Sequence, residues 1–431
     1  MSKAKKILVL ALVAVMAVSG LVANGNKESK SSKDGTTTLT WAVWDIPTTA
    51  YYQPIIDAYQ ADHPNVKINM IDLGSADYQT ALQTQLASGS DEYDIVSVKD
   101  IPGYNNLVKG NMIVNLNDYI AKDKIDLSQY GGTPEQITVN GNLYALPFRS
   151  DFWVVFYNKD IFDKAGVAYP SNDMTLADYD ALARSLTSGS GSTKIYGAHY
   201  HTWRSAVQLF GILDGKHIIT EPPYDYLAPI YNMVLAEQKD GIVQDYATLK
   251  ASSIHYSGQF QKGAVAMMNM GSWYIATHIQ QVKAGNANES VNWGIVKYPH
   301  PEGVEAGTTL GTITSAAIAQ GSRQKDAAWD FVKYLTSPEC AAVIASTGTI
   351  PAIMSDTVVD EIASIDGFPT DENSKEALHY AKAYLEMPLN DKAGQIETVL
   401  NQYHDEIMTY NISVEKGLKE MGEQVEAVLN N

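Results

Sequence analysis

Gly141-Asn142-Leu143-Tyr144-Ala145-Leu146-Pro147 is followed, three residues on, by Asp151-Phe152-Trp153-Val154-Val155-Phe156-Tyr157-Asn158-Lys159-Asp160-Ile161-Phe162. The first segment reads as a turn leading into a short strand. Pro147 has no N–H to donate to a ladder, so it marks a strand end or a crossing point. A polar gap holds Arg149, Ser150 and Asp151. An almost unbroken apolar and aromatic run comes next, and a helix start follows it. A chain that passes from one lobe to another through such a gap would expose Asp151 at the crossing.

Upstream, the pattern is β-α-β-α-β. Thr37 to Trp44 is β-branched and alternating, and reads as a strand. Tyr51 to Ala61 reads as a helix with Ile55, Ile56 and Tyr59 on one face. Val66 to Ile71 is a second strand, Tyr78 to Leu86 a second helix, and Tyr93 to Val98 a third strand. This order predicts parallel pairing with helices on both faces. Ligands of such sheets sit beyond the carboxyl ends of the strands. Trp44 and Asp45 end the first strand, and Lys99 and Asp100 follow the third, so both pairs are expected at one crevice.

Downstream, Ser171 to Leu186 opens a second α/β unit. Phe260 to Met268 reads as a helix end, a turn and a strand that runs into Trp273. Thr312 to Ala319 is a strand. Asp326 to Leu335 is a helix with Ala328, Phe331, Val332 and Leu335 at core spacing. The tail from Gln395 to Leu429 is mostly helical. Further crossings are expected near Tyr298 and near Ile350-Pro351. The expected division is a segment 1–23 for export, a tether 24–37, a first lobe of 38–147 plus 299–349, and a second of 148–298 plus 350–431.

The export reading rests on Lys3, Lys5 and Lys6 ahead of the apolar run Ile7 to Val18, which is short for a membrane span. Gly25 to Gly35 is polar and aperiodic, as expected of a flexible tether. Cys340 is the one cysteine of the chain, so no intramolecular disulfide is possible. It follows Ser337-Pro338-Glu339, a helix start, and is expected as a small buried hydrophobe.

At 431 residues two domains are expected. A formal charge of -18 argues against nucleic acid and anionic membranes as partners. Tyrosines number 26 against 8 phenylalanines, with 7 tryptophans. That excess favours rings with polar handles, which suit wet pockets and the mixed faces of sugars.

Several blocks, in order, resemble the bacterial extracellular solute-binding proteins of the sugar-binding type, which deliver substrate to ABC importers. They are Trp44-Asp45, Asp94-Ile95-Val96 running to Asp100, Gly141 to Pro147 with Tyr157-Asn158-Lys159-Asp160, and the set Phe260, Gly263, Ala266-Met267, Gly271 and Trp273. Ala327 to Phe331 with Tyr334 to Glu339 completes the series. The resemblance runs from about residue 38 to the end. It implies an α/β, two-lobed periplasmic-binding-protein fold, each lobe a mainly parallel sheet flanked by helices and joined by hinge crossings. It implies a monomer without cofactor or catalytic residues, which binds a carbohydrate and is recognised by the permease subunits of an ABC importer.

By analogy with maltose-type relatives, Asp45, Asp100 and Asp151 accept bonds from sugar hydroxyls. Trp273 is a stacking platform, and Trp203 lies where relatives place another aromatic; Trp44 is a third stacking candidate. Arg149 either donates a planar fork to vicinal hydroxyls or holds Asp151. Trp153, Trp293 and Trp329 are expected in the core. Two departures stand out. Asn24 occupies the place of the family's lipidated cysteine, so the expected location is periplasmic, extracellular or cell-surface without that acyl anchor. Ala393 to Leu400 has no aromatic, only Gln395 and Glu397 as polar candidates, which favours a mono- to short oligosaccharide over a long maltodextrin.

Two rivals come from the residues. A secreted glycosidase also uses paired carboxylates in an aromatic cleft, and Asp100 with Asp151 would be its pair. A metal receptor is suggested by His199 and His201, although two histidines do not make a site. Polyols and peptides are further ligands the same fold could hold. No nucleophile elbow, P-loop or glycine-rich dinucleotide turn appears.

Overall fold

The computed structural model describes residues 35–74, 78–130 and 132–431. The expected export segment 1–23 and most of the expected tether lie outside them. Nine strands are present among these residues: β1 Thr37–Val43, β2 Val66–Asp72, β3 Ile95–Val98, β4 Leu146–Asn158, β5 Tyr196–His199, β6 Val265–Gly271, β7 Trp293–Lys297, β8 Thr308–Ile318 and β9 Lys382–Leu385. They join in the order β2-β1-β3-β8-β4-β6-β5, with β7 on β4 and β9 on β8.

The β-α-β-α-β start is as the sequence predicts. β1 pairs in parallel with both β2 and β3. Helix α1, Tyr52–Asp62, lies between β1 and β2 and buries Tyr52, Ile55, Ile56 and Tyr59. That spacing forms one helical face. Trp41 of β1 anchors the first core, with Tyr52, Phe331 and Phe148 set edge-on at 5.2, 5.4 and 6.3 Å. Its buried indole N–H donates to Ser97 Oγ at 2.9 Å, so no donor is stranded. Helix α2, Tyr78–Ala87, and α3, Ile101–Lys109, complete this side.

β4 runs from the first core into two others. The expected break at Pro147 does not occur, and Leu146–Asn158 is one strand. β8 pairs with it across the gap and absorbs the proline at a bulge between Pro147 and Arg149, a place where a missing donor costs little. Phe148 belongs to the first core, while Trp153, Val155 and Tyr157 enter a second and Phe152, Val154 and Phe156 a third. The last two sets alternate along the strand, so both faces are covered. That explains the unbroken apolar run.

β8 likewise runs from one core to another, whereas Tyr298 lies within the second. Leu310 sits in the second core and Ile313 in the first. Tyr298 is buried in the second core, stacked on Phe210 at 4.7 Å. A third segment passes beside β4: Ser150 N–H donates to Ile350 O, and Ala352 N–H to Phe148 O. The sheet is mixed, because β4 runs antiparallel to β6, β7 and β8. Parallel pairing is confined to β1 with β2 and β3, β5 with β6, and β8 with β9.

Helix α4, Lys325–Leu335, buries the predicted face and also Trp329. Ser337 Oγ accepts the Cys340 N–H at 3.2 Å, capping the next helix, and Cys340 is a free, buried thiol. The tail folds into α5, Ala393–Met408, and α6, Val414–Asn430, packed on the second core.

Candidate functional site

The first wall is built from the carboxyl ends of β1 and β3. Trp44 packs edge-on to Tyr78 at 4.9 Å, with Lys99 Nζ 5.7 Å above its ring. It is largely buried, so it supports the wall more than it offers an open face. Asp45 follows in a left-handed conformation, φ 52° and ψ 46°. Asp100 caps α3: its Oδ1 accepts the Gly103 N–H at 2.7 Å and the Gln79 amide at 3.2 Å. A Cβ at residue 103 would lie about 2.1 Å from Gln79 Nε2, so glycine is what lets that amide reach the carboxylate. Burial pushes the Asp100 carboxyl up, and the Gly103 bond and Lys99 pull it back.

The second wall is aromatic. Trp273 follows β6 directly, at the start of the helix Tyr274–Lys283. A Cβ at residue 271 would lie 1.9 Å from its ring, so Gly271 allows the indole to fold over the strand end. Trp153 meets Trp273 edge-on at 5.7 Å, and Trp203 lies 6.2 Å away. Trp203 is 41% exposed and touches His201 at 4.5 Å and Tyr256 at 5.6 Å. Trp153 and Trp293 are buried as predicted, Trp153 serving as the backing of this wall.

Asp151 is not the open acceptor that the gap in the sequence suggested. It is 1% exposed. Its Oδ1 accepts from Ser272 Oγ at 3.0 Å, and its Oδ2 lies 2.8 Å from Arg149 Nε. Arg149 Nη1 donates to the Tyr51 hydroxyl at 2.9 Å. Of the two roles foreseen for Arg149, the structure shows it holding the aspartate. The reason is tertiary: Ser272 arrives from β6, 121 residues away.

The end of the cleft near α5 contains two groups that the sequence did not single out, Arg204 and Glu386. Arg204 Nε donates to both oxygens of Glu397, at 2.9 and 3.0 Å, and its Nη2 to Oε2. Glu386 accepts the Trp153 indole N–H. Burial pushes the Glu386 carboxyl up to about 7; the Trp153 bond and Arg204 lower it, while Glu397 and Asp100 raise it further. Glu386 follows β9, a short strand with no pattern to announce it; Arg204 could have been marked by its place beside Trp203. Gln395 is exposed.

The two walls lie within electrostatic reach of each other. Asp45 of the first acts electrostatically on His255 and Tyr256 of the second, and Asp100 acts on Glu386 and feels Glu397. At one edge the walls touch: Asn105 Nδ2 donates to Asn390 O at 2.6 Å, and Lys109 Nζ to Asp391 O. His199 and His201 are buried, with ring centres 6.4 Å apart. Burial holds them down to about 4 and about 3, so both are neutral at pH 7. Among the described residues no group of three or more His, Cys, Asp or Glu is arranged to hold a metal.

A family model described as bacterial extracellular solute-binding protein matches residues 45–342. A sugar transporter from Rhizobium etli, solved in an open conformation, is 55% identical, with a TM-score of 0.80 over 91% of this chain and all of that one. The arabinooligosaccharide-binding protein of Bacillus subtilis is 24% identical over 78% of this chain and 77% of its own length. The maltotriose-binding protein of Pyrococcus abyssi is 24% identical over 87% of this chain and 78% of its own.

Proposed function

This chain belongs to the bacterial extracellular solute-binding proteins, and from that premise we propose how its cleft captures a carbohydrate for an ABC importer. The observation that carries the reading is the pairing of unlike walls. A partly exposed indole platform, Trp273 with Trp203, faces a wall bearing Asp45 and Asp100. A sugar ring has apolar C–H faces and a rim of hydroxyls, so such a slot satisfies both at once. The relatives named for arabinooligosaccharide and maltotriose support this ligand class.

Trp273 and Trp203 stack the sugar, and Asp45 and Asp100 accept its hydroxyls. Arg149 and Asp151 act as a fixed unit at the base, through the remaining guanidinium donors of Arg149. Glu386 adds a carboxyl that is protonated in part at neutral pH and can both donate and accept. The lobes bend about β4 near Arg149, about β8 between Leu310 and Ile313, and about Ile350–Ala352. Closure adds contacts from the opposite wall, and the closed form is what the permease reads. The protein works outside the cytoplasm, as a monomer exported by residues 1–23.

Binding rather than glycoside hydrolysis is supported by how the carboxylates are held. Asp100 caps a helix, Asp151 is paired with Arg149, and Glu397 is paired with Arg204. The pair that the sequence offered for hydrolysis, Asp100 with Asp151, is therefore already engaged by other groups.

Two measurements follow. Titration calorimetry against mono-, di- and trisaccharides, with chelator present, is expected to give micromolar or tighter binding of one of them with no released reducing end. Heat from none of them would sink the carbohydrate reading. Separately, Asp100→Asn keeps a good helix cap and is expected to leave stability unchanged while weakening that saccharide about tenfold. Asp100→Ala is expected to lose about 1 kcal/mol of stability as well. Equal affinity in wild type and Asp100→Asn would remove Asp100 from the site.

A further inference from the structure

We infer that Asp72 is a positioning residue of the cleft: its carboxylate clamps the backbone of residues 45 and 46 so that the Asp45 side chain is presented to the space between the walls. The inference rests on reading that space as the carbohydrate site.

Asp72 closes β2, directly opposite Val43 in the parallel register with β1. Its carboxylate collects three backbone donors. Oδ1 accepts the Asp45 N–H at 2.9 Å and the Gly74 N–H at 2.8 Å, and Oδ2 accepts the Ile46 N–H at 2.9 Å. Burial acts to raise this carboxyl, but the three amide bonds outweigh it and hold the group below the ordinary carboxylate range. It is therefore ionised at neutral pH.

Asp45 has a left-handed backbone, which side chains other than glycine seldom adopt. Such a conformation persists when its surroundings over-determine it, and it often marks a functional position. Here both ends of the residue are held. Its N–H goes to Asp72, and its carbonyl accepts the Thr48 N–H at 3.0 Å and the Thr49 hydroxyl at 2.9 Å.

A short 3₁₀ turn, Ile46–Thr48, starts at this point, and Asp45 is its cap residue, yet the Asp45 side chain makes no cap bond. An aspartate in that place ordinarily spends its carboxylate on the first N–H groups of its own turn. Asp72 does this work from the neighbouring strand. The Asp45 carboxylate, engaged elsewhere than in the cap, acts electrostatically on Lys99 of its own wall and on His255 and Tyr256 across the cleft. The two aspartates divide one job: Asp72 caps, and Asp45 faces the ligand.

The test uses four proteins besides the full-length wild type: Asp72→Ala, Asp72→Asn, Asp45→Gly and the double variant Asp45→Gly/Asp72→Ala. Affinity for maltotriose, lactose, mannobiose and mannitol is followed by tryptophan fluorescence. Amide hydrogen exchange at Ile46 and Gly74 is followed without any added ligand. Asp72→Ala is expected to weaken binding about tenfold and to speed exchange at both amides. Asp72→Asn is expected to lie between, since one amide oxygen still accepts while its NH₂ opposes the other donors. Adding Asp72→Ala to Asp45→Gly is expected to cost no further affinity, because the group being positioned is already gone.

The inference is overturned if Asp72→Ala leaves affinity unchanged, or if the same loss recurs in the Asp45→Gly background, which would mean a general structural effect. It is also overturned if Asp45→Gly binds like wild type. Should none of the four compounds bind the wild type, the carbohydrate reading loses its support in these classes. The exchange rates then decide the clamp alone, and unchanged exchange in Asp72→Ala refutes it.

Discussion

Replacing Trp273 by alanine is expected to weaken saccharide binding about a hundredfold while the melting temperature moves by no more than about 5 °C. The asymmetry comes from where the indole sits. One edge rests on Trp153, and the ring lies over Gly271, so its orientation is set before any ligand arrives. It is only partly buried and packs at the margins of two cores rather than inside one. Truncation therefore removes a preformed stacking face and opens little cavity in the fold. A loss of about 2.7 kcal/mol in binding corresponds to two decades in Kd, within the range of aromatic hot spots. Calorimetry with the saccharide bound by wild type decides it, and undiminished affinity would sink the assigned platform. Trp203→Ala is expected to cost less, since that ring is the more exposed of the two and leans on His201, Tyr256 and Trp273.

Substituting Glu237 by glutamine is expected to stabilise the protein above pH 8 by on the order of 4 kcal/mol. Glu237 lies on the helix Ala228–Lys239 and is fully buried in the second lobe. Burial pushes its carboxyl up to about 8; the Tyr200 hydroxyl lowers it, the Asp180 carboxylate raises it and Arg184 lowers it. In the unfolded chain it titrates near 4.5. The native state thus holds a proton that the unfolded state releases. The stability this provides is full below about pH 4.5 and is lost as pH rises to about 8 and beyond. Glutamine fits the same space with no charge to desolvate. Thermal unfolding from pH 5 to pH 9 should show the wild type declining more steeply than Glu237→Gln. Parallel curves would show that Glu237 finds a full set of partners and ionises without penalty. Glu386, held up to about 7, adds a decline of the same sign in both proteins, so the comparison is made on the difference between them.

Much of the architecture is legible in the chain because its signals are local. The face Tyr52, Ile55, Ile56 and Tyr59, the Ser337 cap before Cys340 and the alternation of Phe152 to Tyr157 each depend on neighbours within about two turns or a few strand residues. Those signals also place Trp44-Asp45 and Lys99-Asp100 at one crevice, because parallel neighbours end on the same side.

Elsewhere, partners from other segments decide what a residue does. Pro147 reads as a strand end until β8 supplies a ladder with a bulge at that point. Asp151 reads as exposed until Ser272 and Arg149 close on it. Glu386 has no local signature, and becomes notable only when Trp153, Arg204 and Asp100 surround it. Short stretches of the chain carry the elements, their parallel start and the aromatic and acidic residues at the strand ends, since periodicity, caps and strand ends are local properties. Which carboxylates are capped, paired or indole-bonded emerged from the tertiary structure alone, because a carboxylate's state depends on the donors around it, and those arrive from residues as far apart as Trp153 and Glu386.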